Sequence, residues 1–175
     1  MSKAWRARCL VVELLFAEKD VLGPGFGRET TLSAPAVTPY FRRDQSDGIS
    51  PPDLTKNCSY AEHIVKARGK RSQYTSVSTN LTKIRIFGDT NYRLERDKTA
   101  ADGHRLVEHA HLVAALRQQA NEGEKEERLF AINAIRYATM RCEGLVVWAF
   151  NITGVARKDV ITWAQGKVQA YFVKV

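Results

Sequence analysis

The chain has 175 residues, a hydrophobic content of 44% and a formal net charge of +8, which fit one compact domain with a core and exclude a disordered chain. Its three cysteines are odd in number and unclustered, so neither a disulfide framework nor a cysteine-rich zinc site is indicated. The excess of basic residues favours anionic partners such as nucleotides, nucleic acid or acidic proteins.

Residues 1–35 are predicted to form an N-terminal segment, an appendage or a secretion-related region, ahead of a main domain at 36–175. Basic residues precede an apolar stretch at 9–17 that imitates a signal peptide, but Glu13 interrupts this stretch and no clear cleavage site follows. No apolar run approaches the ~20 residues that a membrane helix needs, so no membrane span is predicted.

The first part of the main domain is predicted to be mostly β. Short runs rich in aromatic and β-branched residues, separated by Gly, Pro and Asp, are typical of strands, and Ser59 is a suitable N-cap for a helix. The predicted elements are a strand at 39–44, a helix at 60–65, and strands at 73–80, 83–87 and 91–96.

The second part is predicted to contain two amphipathic helices followed by strands. Apolar residues recur at three- and four-residue spacing in both helices, and apolar runs bounded by turn residues follow. These elements are helices at 103–119 and 124–140 and strands at 145–150, 158–163 and 168–173. Strands at both ends with helices between them predict an α+β domain.

The first of these helices would place His104, Glu108 and His111 on one face. Histidine and carboxylate side chains on a shared face can bind zinc. The pattern is not HExxH and no fourth ligand accompanies it, so a solvated helix face is the preferred interpretation and no metal site is predicted.

Four polar or aromatic side chains and one carboxylate carry the chemistry that the sequence offers. Arg42 ends an aromatic strand and can direct two hydrogen bonds onto a diphosphate. Ser76 and Ser78 lie on one strand face with Tyr74, and Glu143 lies where an apolar strand begins. Each residue alone has a plainer interpretation, as a surface arginine, a hydroxyl-rich sheet face or an exposed strand end. Their order along the chain is less easily dismissed.

This order resembles that of the ADP-ribosyltransferase toxins of the Arg-Ser-Glu type. Phe41–Asp44 looks like the family's first-strand motif, and Ser72–Ser78 looks like its Ser-Thr-Ser strand. Glu143–Val147, followed by Ile152–Val155 and Lys158–Ile161, is similar to the catalytic-glutamate strand and the turn after it. The resemblance covers roughly residues 38–175 and implies an ADP-ribosyltransferase-like split β-sandwich, with helices between the N- and C-terminal strands.

The resemblance also implies the roles of the candidate residues, with NAD+ as a substrate. Glu143 would stabilise the positive charge that develops on the ribose when nicotinamide leaves, and Ser76 would hydrogen-bond the ribose or orient Glu143. Arg42 would hold the diphosphate, Tyr74 could stack on the nicotinamide ring, and Ser78 belongs to the same NAD-binding strand.

Two positions depart from the family pattern. Members that modify arginine carry Glu or Gln two residues before the catalytic glutamate, whereas this chain has Arg141. A cation there argues against arginine as the acceptor. The middle residue of the Ser-Thr-Ser run is Val77, whose β-branched side chain still suits a strand.

The predicted function is transfer of ADP-ribose from NAD+ to a macromolecule, by a bacterial effector or toxin that is secreted or translocated and acts in the cytosol of a target cell. The expected acceptor is a protein, and nucleic acid is left open as a second class. Two alternatives remain. One is an NAD glycohydrolase on the same fold. The other is a non-enzymatic basic module that uses clusters such as 66–71 to bind nucleic acid or an acidic protein.

Overall fold

A computed structural model describes residues 37–66, 71–83 and 88–175, and these all belong to the unit at 37–175 into which the chain divides after residue 36. The role predicted for 1–35 therefore lies outside the described residues. The strands are β1 (Phe41–Asp44), β2 (Tyr74–Ser78), β3 (Thr90–Leu94), β4 (Arg105–Val107), β5 (Glu143–Val147) and β6 (Phe172–Lys174). The α-helices are α1 (Tyr60–Lys66), α2 (Arg96–Ala101), α3 (His109–Glu122), α4 (Lys125–Arg141) and α5 (Val160–Val168).

The strands form one six-stranded antiparallel sheet in the order β4-β5-β2-β1-β3-β6. The pairing is uneven across the sheet. Strands β2 and β5 pair from Tyr74↔Val147 to Ser78↔Glu143, whereas β1 meets β2 through the single pair Phe41↔Ser78. The sheet therefore divides at its centre into two three-stranded halves, and Arg42 lies immediately beside the junction. The predicted α+β class is confirmed.

Apolar side chains cover both faces of the sheet. Leu145 and Val146 are consecutive on β5 and fully buried, yet they enter different clusters because successive strand residues point to opposite faces. One cluster is aromatic, with Trp148 at its centre, and the other packs α1, α3 and α4 against the sheet. This helix-covered face also carries Ser76 and Glu143, whereas the strand register pairs Arg42 with Tyr92 of the aromatic cluster.

The capping predicted for the first helix is confirmed. Ser59 Oγ accepts a hydrogen bond from the backbone N–H of Glu62 at 3.1 Å, and Glu62 Oε2 accepts one from the N–H of Ser59 at 3.0 Å. This reciprocal capping box satisfies two N–H groups that the first helical turn leaves unpaired. It fixes the start of α1 next to strand β2.

The predicted helix at 103–119 begins too early. Residues Arg105–Val107 pair with β5 as strand β4, and α3 starts only at His109. The interpretation that placed His104, Glu108 and His111 on one helix face is therefore wrong. His104 instead packs edge-on against Trp148, and its Nδ1 accepts a hydrogen bond from the N–H of Ala149 at 3.1 Å.

The C-terminal segment also differs from the prediction. The strand predicted at 158–163 is wrong, because Val160–Val168 is helix α5 with Val160, Ala164 and Val168 buried at four-residue spacing. The last strand begins at Phe172 rather than 168. The strand predicted at 83–87 lies largely outside the described residues, and Lys83 itself ends a 3₁₀ turn.

No helix among the described residues is long and apolar enough to cross a membrane.

Candidate active site

Glu143 is a buried carboxylate at the first position of strand β5. The residue before it, Cys142, ends α4 in the left-handed conformation with φ 48°, which turns the chain sharply from helix into strand. Only 3% of Glu143 is exposed. Its Oε1 accepts a hydrogen bond from Ser76, whereas Oε2 has no hydrogen-bond partner among the described residues and forms a looser ion pair with Arg141 Nη1 at 3.5 Å.

The proton affinity of Glu143 reflects a balance between burial and neighbouring charges. Burial raises the pKa of this carboxyl because it penalises the ionised form. The hydrogen bond from Ser76 and the charges of Arg141 and Arg42 act in the opposite direction. The net pKa remains above the ordinary glutamate value, and the ionised form depends on these three neighbours.

Ser76 reaches Glu143 diagonally across two paired strands. The register pairs Ser76 with Leu145 and Ser78 with Glu143, so both serines share the sheet face of the carboxylate. Ser76 Oγ donates to Glu143 Oε1 at 2.6 Å, across 67 residues of sequence. The structure thus joins this serine and this glutamate by a short hydrogen bond, and the roles predicted for them stay predictions.

Arg42 is held in place at the division of the sheet. Its Nε donates to Asp44 Oδ2 at 2.7 Å, and its Nη1 donates to the carbonyl of Ser76 at 2.9 Å. Asp44 is fully buried and also accepts bonds from the backbone N–H and the hydroxyl of Ser50. A guanidinium has five N–H donors. The two bonds to described residues leave donors for an anion, while fixing the plane of the group.

His63 is the site residue that the sequence interpretation missed. Its Nε2 lies 2.8 Å from Ser76 Oγ and its Nδ1 lies 2.5 Å from Ser72 Oγ. Because Ser76 gives its one proton to Glu143, it must accept from His63 Nε2–H, and His63 Nδ1 then accepts from Ser72. Hydrogen bonds thus run from Ser72 through His63 and Ser76 to Glu143.

The imidazole of His63 is neutral at physiological pH. Burial lowers its pKa to about 4, with further lowering by the charges of Arg42 and Arg141. A neutral ring is what the assigned hydrogen-bond directions require. The available sequence signal was a histidine in a predicted helix directly before the serine-rich strand, with Ser72 and Ser76 four residues apart.

Two predicted site residues lie among structural contacts. Tyr74 donates its hydroxyl to the carbonyl of Cys58 at 3.0 Å, and its ring meets Tyr60 and His63 edge-on at 5.2 Å and 5.6 Å. Tyr74 therefore packs against one side of the His63 ring. The predicted stacking of Tyr74 on nicotinamide stays a prediction.

Ser78 lies further along the same strand and is 4% exposed. Its Oγ lies 2.5 Å from the carbonyl of Arg141, to which it donates, and it accepts a bond from the N–H of Asn80 at 3.0 Å. Ser78 therefore holds the end of α4 against β2. Its hydroxyl bonds the backbone of Arg141 and not the Glu143 carboxylate. Its predicted NAD-binding role stays a prediction.

The site therefore joins Arg42, Ser76, Glu143 and His63 through direct hydrogen bonds. Comparisons of the chain with protein-family models, with curated proteins and with solved structures find no match. Among the described residues, no group of three or more His, Cys, Asp or Glu side chains is placed to hold a metal ion.

Proposed function

We propose that this chain is a mono-ADP-ribosyltransferase that transfers ADP-ribose from NAD+ to a macromolecule. The observation that carries the proposal is the convergence of Arg42, Ser76 and Glu143. The first two are 34 residues apart in sequence, the last two are 67 apart, and each pair is joined by a hydrogen bond under 3 Å. A guanidinium bonded to the backbone carbonyl of Ser76 is thus linked, through this one residue, to a hydroxyl and a buried carboxylate.

The carboxylate of Glu143 is suited to stabilising a developing cation. Loss of nicotinamide from NAD+ builds positive charge on the ribose in an oxocarbenium-like transition state, as in glycoside hydrolysis. Oε1 is engaged by Ser76, whereas the contact that Oε2 makes among the described residues is the 3.5 Å ion pair with Arg141, which leaves it capacity to accept a bond from a ribose hydroxyl. A fixed buried charge stabilises the transition state more than a mobile one in water.

The position of Arg42 supports binding of the diphosphate. Its guanidinium reaches the carbonyl of Ser76 near the point where β1 and β2 separate, and the bond to Asp44 fixes its orientation. The division of the sheet into halves β4-β5-β2 and β1-β3-β6 is compatible with an ADP-ribosyltransferase-like split β-sandwich. We propose this finer fold together with the function.

The hydrogen-bonded His63 supports the geometry of the reacting group. By donating to Ser76 Oγ, it directs the hydroxyl proton toward Glu143, and the short bond fixes the carboxylate rotamer. His63 is accordingly a positioning residue, and it acts through Ser76.

The biological setting follows from the resemblance of the motifs to those of toxin transferases. We propose a bacterial effector or toxin, secreted or translocated, that acts on a protein in the cytosol of a target cell. NAD+ is its substrate, and the acceptor residue is one other than arginine.

Release of nicotinamide from NAD+ and transfer of labelled ADP-ribose test this proposal. Glu143→Gln preserves the shape of the side chain and removes its charge, so we expect turnover to fall about 100- to 1000-fold, the usual loss when such stabilisation is deleted. Glu122→Gln, at an exposed glutamate at the end of α3, is the matched control and should retain wild-type turnover. Equal turnover by wild type and Glu143→Gln would remove Glu143 from the mechanism.

The two alternatives give different results in the same assays. An NAD glycohydrolase releases nicotinamide through Glu143 but labels no macromolecule. A basic binding module is indifferent to NAD+. A ligand held by the folded state adds about 2.7 kcal/mol to the free energy of unfolding at 100 times its Kd, so a thermal midpoint unmoved by NAD+ would favour the binding module.

A further inference from the structure

Arg141 presents a partly exposed guanidinium directly beside the buried carboxylate. It is the last residue of α4, its side chain is 41% exposed, and its Nη1 lies 3.5 Å from Glu143 Oε2. The guanidinium carbon stacks over the ring of Tyr137 at 5.2 Å from the centroid. One side of the cation thus faces the proposed reaction centre, and the other faces the solvent from which an acceptor would arrive.

The charge at this position restricts which acceptor the site can use. A guanidinium stays protonated in proteins and cannot remove a proton from an incoming nucleophile. An acceptor that is already an oxyanion needs no such base. A second carboxylate close to Glu143 would ordinarily be repelled, and Arg141 offsets this repulsion because its charge can pair with both groups.

We propose that Arg141 binds the acceptor and that this acceptor is the carboxylate of an aspartate or glutamate in a protein. The inference rests on the proposed transferase function. In the step, a carboxylate oxygen forms a bond to the ribose C1′ of NAD+. The bond from C1′ to the nicotinamide nitrogen breaks, and its electron pair leaves with nicotinamide. One anion and one pyridinium become a neutral ester linkage and neutral nicotinamide, and no proton is transferred.

The surroundings of Arg141 favour a protein over a nucleic acid as the partner. Leu129, Ile132 and Met140 are 57%, 56% and 58% exposed and follow helical spacing on one side of α4. Leu129 and Phe130 also line an open pocket together with Glu126 and Asn133. Met140, at the C-terminal end of this α4 apolar face, directly precedes Arg141, and the exposed Arg136 lies on the same side of the helix. Protein surfaces bury such side chains on binding, whereas sites for nucleic acid are rich in cations.

The acceptor class is tested with radiolabelled NAD+, a soluble cell lysate and a 5′-phosphorylated oligonucleotide in parallel reactions. We expect label on protein, released by neutral hydroxylamine because a carboxylate ester is cleaved by it. Label on the oligonucleotide, or label on protein that resists hydroxylamine, would overturn the proposal. Nicotinamide release is measured in the same reactions. If wild type releases no more nicotinamide than Glu143→Gln, the transferase function is rejected, and this inference with it.

The role of Arg141 is tested by the ratio of label transfer to nicotinamide release. Loss of a charged hydrogen bond to the acceptor should lower this ratio about 10- to 100-fold in Arg141→Gln, and Arg141→Lys should restore part of it. An unchanged ratio in Arg141→Gln would overturn the assignment. Using a ratio separates acceptor binding from any effect of the substitution on Glu143 itself.

The α4 apolar face is tested at a position outside the site. Ile132→Ser should lower transfer to protein several-fold while nicotinamide release stays at the wild-type rate. Val173→Ser is the matched control, because Val173 is also an exposed apolar residue but lies on β6. It should change neither transfer to protein nor nicotinamide release. Equal transfer by both variants would contradict docking of the protein acceptor on this face.

Discussion

At the scale of single residues, the ionisation of Glu143 is set by its burial and by three neighbours from separate parts of the chain. Burial favours the protonated acid, and Ser76, Arg141 and Arg42 favour the carboxylate. The proposed reaction needs the carboxylate. The pH dependence of turnover should therefore change when one of these neighbours is replaced.

We expect kcat/KM for nicotinamide release to fall as the pH drops through the raised pKa of Glu143, above the ordinary value of 4.5. Arg141→Gln removes a cation that favours the carboxylate, so its profile should shift to higher pH. Arg136→Gln, on the exposed surface of α4, is the matched control. An Arg141→Gln profile that stays in place or shifts to lower pH would contradict the electrostatic account.

The neutral state of His63 makes the stability of the fold depend on pH. Its pKa is lowered from 6.5 to about 4 in the folded protein, so the unfolded chain binds a proton more readily between these values. The free energy of unfolding contributed by neutral His63 is complete above pH 6.5 and is lost as the pH falls toward 4. At ~1.4 kcal/mol per pKa unit, the loss is on the order of 3 kcal/mol.

His63→Gln should remove this dependence while keeping a side chain that can donate to Ser76. Urea unfolding at pH 7 and at pH 5 measures the effect, and wild type should lose more stability between the two than the variant. His104 and Glu143 also titrate abnormally, but both are present in both proteins and cancel in the comparison. Identical losses in both proteins would show that His63 is not held neutral by the fold.

At the scale of elements, strand β5 passes close to two other segments beside the site. A Cβ added at Gly144 would lie 2.7 Å from Tyr40 Cε1 and 3.0 Å from the carbonyl oxygen of Val107. Tyr40 is almost fully buried, and its hydroxyl oxygen accepts the N–H of His109 at the start of α3. The aromatic ring therefore has little freedom to move.

Gly144→Ala should destabilise the fold by about 1–3 kcal/mol, the usual cost of overpacking a core. The control is Gly166→Ala within α5, where an added Cβ meets nothing within 4 Å. That change should stabilise the protein by about 0.5–1 kcal/mol, since alanine is the better helix former. Thermal unfolding of both variants measures the difference, and destabilisation of equal size in both would contradict the packing described at β5.

Strands and helices could be predicted from sequence where their apolar residues recur at a single regular spacing. The strand around Ser76 and helix α4 were predicted in this way, because alternation and helical spacing are local signals, and the strand predicted at 145–150 overlaps β5, which begins earlier, at Glu143. Helix α5 was missed because Val160, Ile161 and Thr162 are β-branched in succession, and tertiary burial at four-residue spacing overrides that preference. Strand β4 was missed because three residues carry too little pattern and depend on pairing with β5.

At the scale of the molecule, the site is assembled from both sides of a division in the sheet. Arg42 comes from the half that contains β1, whereas Ser76 and Glu143 come from the half that contains β2 and β5. That Arg42, Ser76 and Glu143 lie close together could be predicted from the order of their motifs, whereas the roles proposed for them stay predictions. The contribution of His63 could not, since its orientation depends on how α1 packs beside β2 and on the hydroxyl of Ser72.

Equilibrium binding of NAD+ measured by calorimetry in a Glu143→Gln background, where the ligand is not consumed, tests most directly whether these residues form one NAD+ site. We expect saturable binding, weakened about 10- to 100-fold by adding Arg42→Lys, because lysine keeps the charge but loses the directed pair of donors. Adding Arg136→Gln instead should leave the Kd unchanged. No saturable binding in the Glu143→Gln protein, or the same Kd with and without Arg42→Lys, would contradict the account.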